Sequence, residues 1–317
     1  MKKIAAISMV KDECDIIELF VKINSRTFDQ IFVVDHASRD GTLDILLAMK
    51  QMGYPVSISR YDHPDFQQAL VLSYLARQIA NTNEFSYIVP LDADEFLSVS
   101  KDELVSVLDA EIGGHGCGLL RWQNYVPVSL GFYDCEAPLY DLFRVQDDEL
   151  SAHFKVVIPN EVAKGCVISE GSHFVRPSME APWLKGPVLS IPLQHAPVRS
   201  PEQVTAKALI GSMTLSIKKN RGRGEGKHWD ELVVKLVDNG YQVPLYEMQQ
   251  LVRHYGASSE AEVRIKEDAA DRIGLETDRV EMRSQSRVNL TQKMHLFGQR
   301  LCSEILSLRA TPAPGPQ

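Results

Sequence analysis

Across the first hundred residues, short apolar runs alternate with segments of helical period. Residues 4–10, "QIFVVD" (30–35), "PVSISRY" (55–61) and 85–91 read as strands. Ile16, Ile17, Leu19, Phe20 and Ile23 fall at helical spacing behind the first run, and "LDILLAMKQM" and 65–81 follow the second and third. Ser38 and Asp40 in "HASRDGT" are candidate helix N-caps. Strand–helix alternation with short turns builds βαβ units and a mostly parallel sheet, so the fold class is α/β. In open sheets of this kind, ligands sit beyond the carboxyl ends of the strands.

Acids collect at that edge. Lys11, Asp12 and Glu13 follow the first strand, Asp35 ends the second, and Asp92, Asp94 and Glu95 follow the fourth. Close-set carboxylates repel unless a cation or hydrogen-bond donors lie nearby. A lone DxD is commonly a solvated acidic loop, but three acidic turns along one edge point to a site. Residues two apart in an extended segment face the same way, so Asp92 and Asp94 can meet one cation. Mg²⁺ and Mn²⁺ prefer oxygen ligands and neutralise a diphosphate leaving group. Neither GxxxxGK[ST] nor GxGxxG follows the first strand, which removes the P-loop and dinucleotide readings.

The 317 residues are 44% hydrophobic and 24% charged, ordinary for a soluble globular chain. A formal net charge of −8 argues against general affinity for nucleic acid or anionic membranes. Five scattered cysteines without a CxxC read as reduced thiols. The apolar run at the start ends in Lys11, Asp12 and Glu13 with no cleavage site, so it reads as a strand and not a signal peptide. No stretch approaches the roughly 18 apolar residues of a membrane span, and a cytoplasmic location is expected. Residues 115–200 are irregular and strand-like. Helices are expected at 201–219, 228–240, 245–255, 259–273 and about 284–309, with a disordered tail at 310–317.

"AISMVKDECDIIELFVKIN", "IFVVDHASRDGT" and "YIVPLDADEFL" resemble, in order and spacing, the nucleotide-binding half of GT-A glycosyltransferases. The match is to the family-2-like branch, whose pattern is a first strand ending in Lys-Asn-Glu, then "vDngStDgT", then "lDaDEf". "HFKVVIPNEV", "GSHFV" and "LQHAPVRSPEQVTAKALIG" extend the resemblance over residues 1–230. It implies a GT-A, Rossmann-like, mostly parallel sheet flanked by helices. A nucleotide-binding half (1–100) and an acceptor half (101–200) would make up a domain of 1–230, followed by a helical C-terminal extension (231–309).

The resemblance also implies roles. Backbone around Met9, Val10 and Lys11 would line the nucleotide base, and Asp35 would bond base or ribose. Asp92 would contact ribose or metal, and Asp94 would ligate Mn²⁺ or Mg²⁺. Asp12 stands where the family has Asn. Glu13 matches the family glutamate, although capping the first helix is an equal reading; Asp40 also matches but reads as an N-cap. Glu95 would orient its neighbours. His195, at a strand end, and His173 compete for the third metal position. No Glu-Asp pair occurs between 100 and 230 to serve as general base; Asp134, Asp141 and Glu170 remain, with Glu170 favoured for its place beside His173. Arg223, Lys227 and His228, in the basic, glycine-rich stretch 218–232, belong either to a solvated linker or to a lid that meets the donor diphosphate with Trp229 at its hinge.

The expected function is metal-dependent, inverting transfer of a sugar from a nucleotide-diphosphate sugar, UDP-sugar favoured, to a hydroxyl of a glycan, lipid-linked or small-molecule acceptor. Two alternatives stay open: a haloacid-dehalogenase-like phosphatase and a non-catalytic nucleotide-sugar-binding module.

Overall fold

The structure is a computed structural model that describes residues 2–63, 67–127, 143–146, 151–216, 227–252 and 265–266, with positions 294, 298, 300 and 301. Strand β1 (Ile4–Val10) is buried along its whole length. Such a strand must be covered on both faces and paired on both edges. Its residues alternate between two cores: Ile4, Ala6 and Val10 join one, Ala5, Ile7 and Met9 the other.

β2 (Gln30–Asp35) and β4 (Tyr87–Pro90) flank β1 in parallel, and β3 (Val56–Arg60) pairs with β2. Helices α1 (Ile17–Asn24) and α2 (Thr42–Gln51) carry the chain outward to β3. α3 (Gln68–Asn81) then returns it across the sheet to β4, giving the order β3-β2-β1-β4. Winding reverses between β1 and β4, the switch point at which open α/β sheets leave a crevice beyond the strand ends. α4 (Lys101–Ile112) packs with α1 and α2 on one face, while α3 covers the other. Ser100 caps the start of α4: its Oγ accepts from the Glu103 N–H at 3.2 Å.

The α/β sheet expected from the sequence is present, and its second half is antiparallel. β6 (Gly118–Pro127), β7 (Phe143–Gln146) and β8 (Phe154–Pro159) continue it through β4–β8, β8–β6 and β6–β7 pairs. Short elements fill the connection after β8: α5 (Asn160–Ala163), and a small ladder of β9 (Val167–Ile168) with β10 (Val175–Arg176). The strand expected to end at His195 is only β11 (Leu193–His195), since Pro187 and Pro192 withhold the ladder hydrogen bonds a longer one needs. β11 lies between β6, in parallel, and the two-residue β5 (Glu95–Phe96), antiparallel.

α6 (Pro201–Ser216), α7 (Lys227–Asp238) and α8 (Leu245–Leu251) share a third apolar cluster with Val126 and Val198. The domain boundary expected at residue 230 therefore falls inside α7. Ile265 and Lys266, expected within a helix, form β12 and pair with β7, whose outer edge offers unpaired backbone groups. The other residues of the helices expected at 259–273 and 284–309, apart from four single positions, and the 310–317 tail lie outside the described residues. No described helix is long and apolar enough to cross a membrane.

Candidate functional site

Two loops close the floor of the β1–β4 crevice. Asp12 sits in left-handed backbone (φ 54°), where its N–H donates to Ser38 Oγ at 3.0 Å and its Oδ1 accepts from Arg39 N–H at 2.8 Å. Glu13 N–H donates to Thr42 Oγ1 at 2.8 Å. Asp40, fully buried, accepts from Cys14 N–H (3.1 Å) and Thr42 N–H (3.0 Å). Ser38 and Asp40 thus tie the loop after β2 to the loop after β1, and the N-cap of α2 is Gly41 in left-handed backbone (φ 99°).

Above these loops lies a cavity of about 410 Å³. Met9, Val10, Lys11 and Glu13 line it from β1, His36 from β2, Asp92 and Asp94 from β4, Trp122 and His195 from the antiparallel half, and Glu170 from a 3₁₀ turn (Glu170–Ser172). Gln68, Arg199, residues of α6 and Trp229 are also part of its wall. Of the lining residues, Met9, Val10, Lys11, Glu13, Asp92, Asp94, Glu170 and His195 were expected at the site; His36 and Trp122 were not.

Asp94 and His195 meet in its wall. Both are buried, and His195 Nε2 lies 3.8 Å from Asp94 Oδ1. Pairing in register with Asn124 of β6 sets the ring: Asn124 Oδ1 lies 2.8 Å from Nδ1. An amide oxygen accepts, so Nδ1 carries the hydrogen and Nε2 the lone pair. Burial lowers the His195 pKa to about 3, against the pull of Asp94, so the ring is neutral. It stacks on Trp122 with centroids 4.1 Å apart. Burial works to raise the Asp94 pKa, but Lys207 and Arg199 overcome it and hold the carboxyl below its ordinary range.

Asp92 is turned elsewhere. Its Oδ2 meets Lys155 Nζ at 2.5 Å and its Oδ1 accepts from Gln68 Nε2 at 2.8 Å. Lys155 is an ammonium with no exposure, 3.4 Å from Glu95 Oε1 as well. Glu95 Oε2 accepts from the Asp92 N–H at 2.8 Å, which is the orienting role expected of it. Burial, only partly offset by Lys155, raises the Glu95 pKa well above normal. Lys155 resists the opposite effect of its own burial through Asp92 and Glu95, and its pKa is raised.

Arg199 is also fully buried, and its guanidinium organises the acids of the β1 loop. Nε and Nη2 clasp Asp15 at 2.6 and 3.1 Å, Nη2 meets Glu13, and Nη1 lies 3.4 Å from Asp94 Oδ2. Glu13 therefore faces cations, with its main-chain carbonyl starting α1; burial outweighs Arg199 and Lys207 and pushes its pKa up to about 7. Lys207, on α6, lies 3.2 Å from Asp94 Oδ2 and 3.9 Å from Glu13 Oε1. Lys155, Arg199 and Lys207 fall inside segments that carry the resemblance but were given no role there, and no motif marked Asn124 or Gln68.

Several expected residues sit apart from this cluster. Asp35 is fully buried, accepts from Ser38 N–H at 3.3 and 3.4 Å, and does not line the cavity. His173 Nδ1 donates to the Phe154 carbonyl at 2.6 Å, and His173 is absent from the cavity wall. Lys227 pairs with Glu231 on its own helix at 3.3 Å. Arg223, Asp134 and Asp141 lie outside the described residues, as does the side chain of His228.

No group of three His, Cys, Asp or Glu side chains is arranged for a metal among the described residues. The pair Asp94–His195 nonetheless fits a divalent cation. Bonds of about 2.0–2.2 Å from both atoms can meet across their 3.8 Å separation, and the imidazole is neutral and oriented through its other nitrogen, as metal-binding histidines are. Phosphate oxygens of a substrate would have to complete the shell.

No protein-family profile matches the chain, and no curated protein does. Solved structures similar to it include TarS residues 1–349 of S. aureus, at 13% identity and a TM-score of 0.35 over 75% of this chain and 72% of that one. The mannosyltransferase PcManGT from Pyrobaculum calidifontis, in complex with GDP-Man and Mn²⁺, is 12% identical with a TM-score of 0.38, covering 81% and 76%. The 4-diphosphocytidyl-2C-methyl-D-erythritolsynthase from Anaerococcus prevotii is 10% identical with a TM-score of 0.30, covering 51% and 72%.

Proposed function

We propose that the protein is a divalent-cation-dependent glycosyltransferase that moves a sugar, with inversion, from a UDP-sugar to the hydroxyl of a glycan, lipid-linked or small-molecule acceptor. The observation that carries this reading is the Asp94–His195 pair, held by Asn124 at the β1–β4 crevice. When bound there with the donor, Mn²⁺ or Mg²⁺ would neutralise charge developing on the diphosphate. Met9, Val10 and Lys11 offer the β1 end to the nucleoside. Lys155 and Gln68 fix the Asp92 carboxylate, which leaves it as an acceptor for a ribose hydroxyl. Glu170 is exposed and lines the same cavity, where a carboxylate could take the proton of an attacking hydroxyl. A dehalogenase-like phosphatase carries its DxD on the first strand; here it follows the fourth.

Melting temperature across a panel of nucleotide sugars, each with and without Mn²⁺, tests the proposal. A ligand of the folded state raises the melting temperature by mass action. A shift with a nucleotide sugar that grows when Mn²⁺ is added supports it, and release of the free sugar or its transfer then separates an enzyme from a binding module. No shift with any nucleotide sugar contradicts it.

A further inference from the structure

We propose that Lys207 is a phosphate-binding residue that exchanges partners: it neutralises Asp94 and Glu13 before the donor arrives, and passes its ammonium to the donor's diphosphate when a divalent cation engages Asp94. This rests on the nucleotide-sugar reading above.

Among the described residues, Lys155, Arg199 and Lys207 meet the acids of the site, and they are not equivalent. Lys155 has no solvent exposure and is lodged between Asp92 and Glu95. Arg199 has none either, and its fork is filled by Asp15, Glu13, Asp94 and the Ala196 carbonyl. Lys207 keeps 34% of its side chain exposed. Gln203, Ala206, Lys207, Ile210, Gly211 and Thr214 recur at spacings of three and four along α6 and all line the cavity, so Lys207 stands on the stripe that faces the ligand space. Its bonds to these two acids, 3.2 Å to Asp94 Oδ2 and 3.9 Å to Glu13 Oε1, are long for charge-assisted bonds, which lie at about 2.7–2.9 Å.

The two oxygens of Asp94 divide the work. Oδ1 faces His195 and Oδ2 faces Lys207. A cation held through Oδ1 places a double charge a few ångströms from the Lys207 ammonium, and like charges at that distance repel. The same cation brings phosphate oxygens to the wall on which Lys207 stands. A flexible four-carbon stem lets a compact ammonium follow them.

Calorimetric titrations of Mn²⁺ alone, and then of UDP, UMP and uridine in saturating Mn²⁺, into wild type, K207M and K207R test the exchange. GDP serves as a second nucleotide probe. K207M should bind Mn²⁺ alone more tightly than wild type, because the competing ammonium is gone. Its preference for UDP over UMP should fall about ten-fold or more, the range of a hydrogen bond to a charged group, with uridine unaffected. K207R should keep most of that preference. These opposite signs distinguish ligand exchange from a structural ion pair, whose loss would weaken metal and nucleotide together along with the melting temperature. An unchanged preference for UDP over UMP in K207M, or joint weakening of metal and nucleotide, overturns the proposal. Wild type that binds neither UDP nor GDP removes the donor reading, and this one with it.

Discussion

Asp94 and His195 are joined through backbone as well as side chain: the Ala196 N–H donates to the Asp94 carbonyl at 2.9 Å, and His195 Nε2 faces Asp94 Oδ1 at 3.8 Å. The link ties the end of the parallel half of the sheet to a three-residue strand that packs against the antiparallel half. The site is built across that seam, and its residues report on how the two halves meet.

Asn124 is the first test of the seam. Asn124→Leu removes the acceptor that fixes the His195 tautomer while keeping similar bulk. Mn²⁺ affinity by calorimetry should fall about 10- to 100-fold, the usual cost of losing an outer-shell partner of a metal-binding histidine. Equal affinity in the variant would show that Asn124 does not orient the ring for metal.

Lys155 answers a stability question. Lys155→Met leaves Asp92 and the fully buried Glu95 without their shared ammonium. Removing one partner of a buried ion pair costs about 3–5 kcal/mol, which denaturant unfolding should show. A loss under about 1 kcal/mol, within the range of an exposed pair, would mean that solvent reaches the cluster.

The strand edges and the acids on them were legible in the sequence, because period-2 and helical patterns are local and acids at strand ends stand out. The N-cap of α4, Ser100, was equally local, although periodicity alone passed over that helix. What completes the site is not local. Arg199 meets Asp94 across 105 residues and Lys155 meets Asp92 across 63; only the pairing of the antiparallel half with β4 brings them together. One cue was present in "HFKVVIP", a lysine inside an apolar strand, where a charge is costly unless an acid waits for it. The same distinction explains Asp35. It ends a strand as a site acid should, and its carboxylate accepts from Ser38 N–H in the turn that follows, a bond the strand pattern does not reveal.

Asp35→Ala should therefore act on stability more than on binding. Loss of a buried carboxylate that organises its own turn is expected to cost about 1–3 kcal/mol of unfolding free energy, with UDP affinity changed by less than about three-fold. A large loss of UDP affinity at unchanged stability would return Asp35 to the nucleotide site.

His36 sets a pH dependence. Burial, reinforced by Lys11 and opposed by the His63 carbonyl, lowers its pKa to about 4. The unfolded chain takes up a proton near pH 6.5 while the folded one waits until about pH 4. Unfolding thus binds a proton, and stability present above pH 6.5 is lost as pH falls through that window, at up to about 1.4 kcal/mol per pH unit. His36→Gln should flatten the fall in unfolding free energy between pH 6.5 and 4, measured by denaturant titration, by up to that amount. An identical slope in wild type and variant would show that His36 is protonated in the folded state.

The central claim is that Asp94 and His195 hold a divalent cation for a nucleotide diphosphate, and calorimetric binding of UDP to wild type and H195A, each with Mn²⁺ and with EDTA, tests it most directly. Mn²⁺ should tighten UDP binding to wild type and leave H195A at its EDTA value, while the two proteins bind UDP alike in EDTA. Equal Mn²⁺ enhancement in both proteins would contradict the assignment.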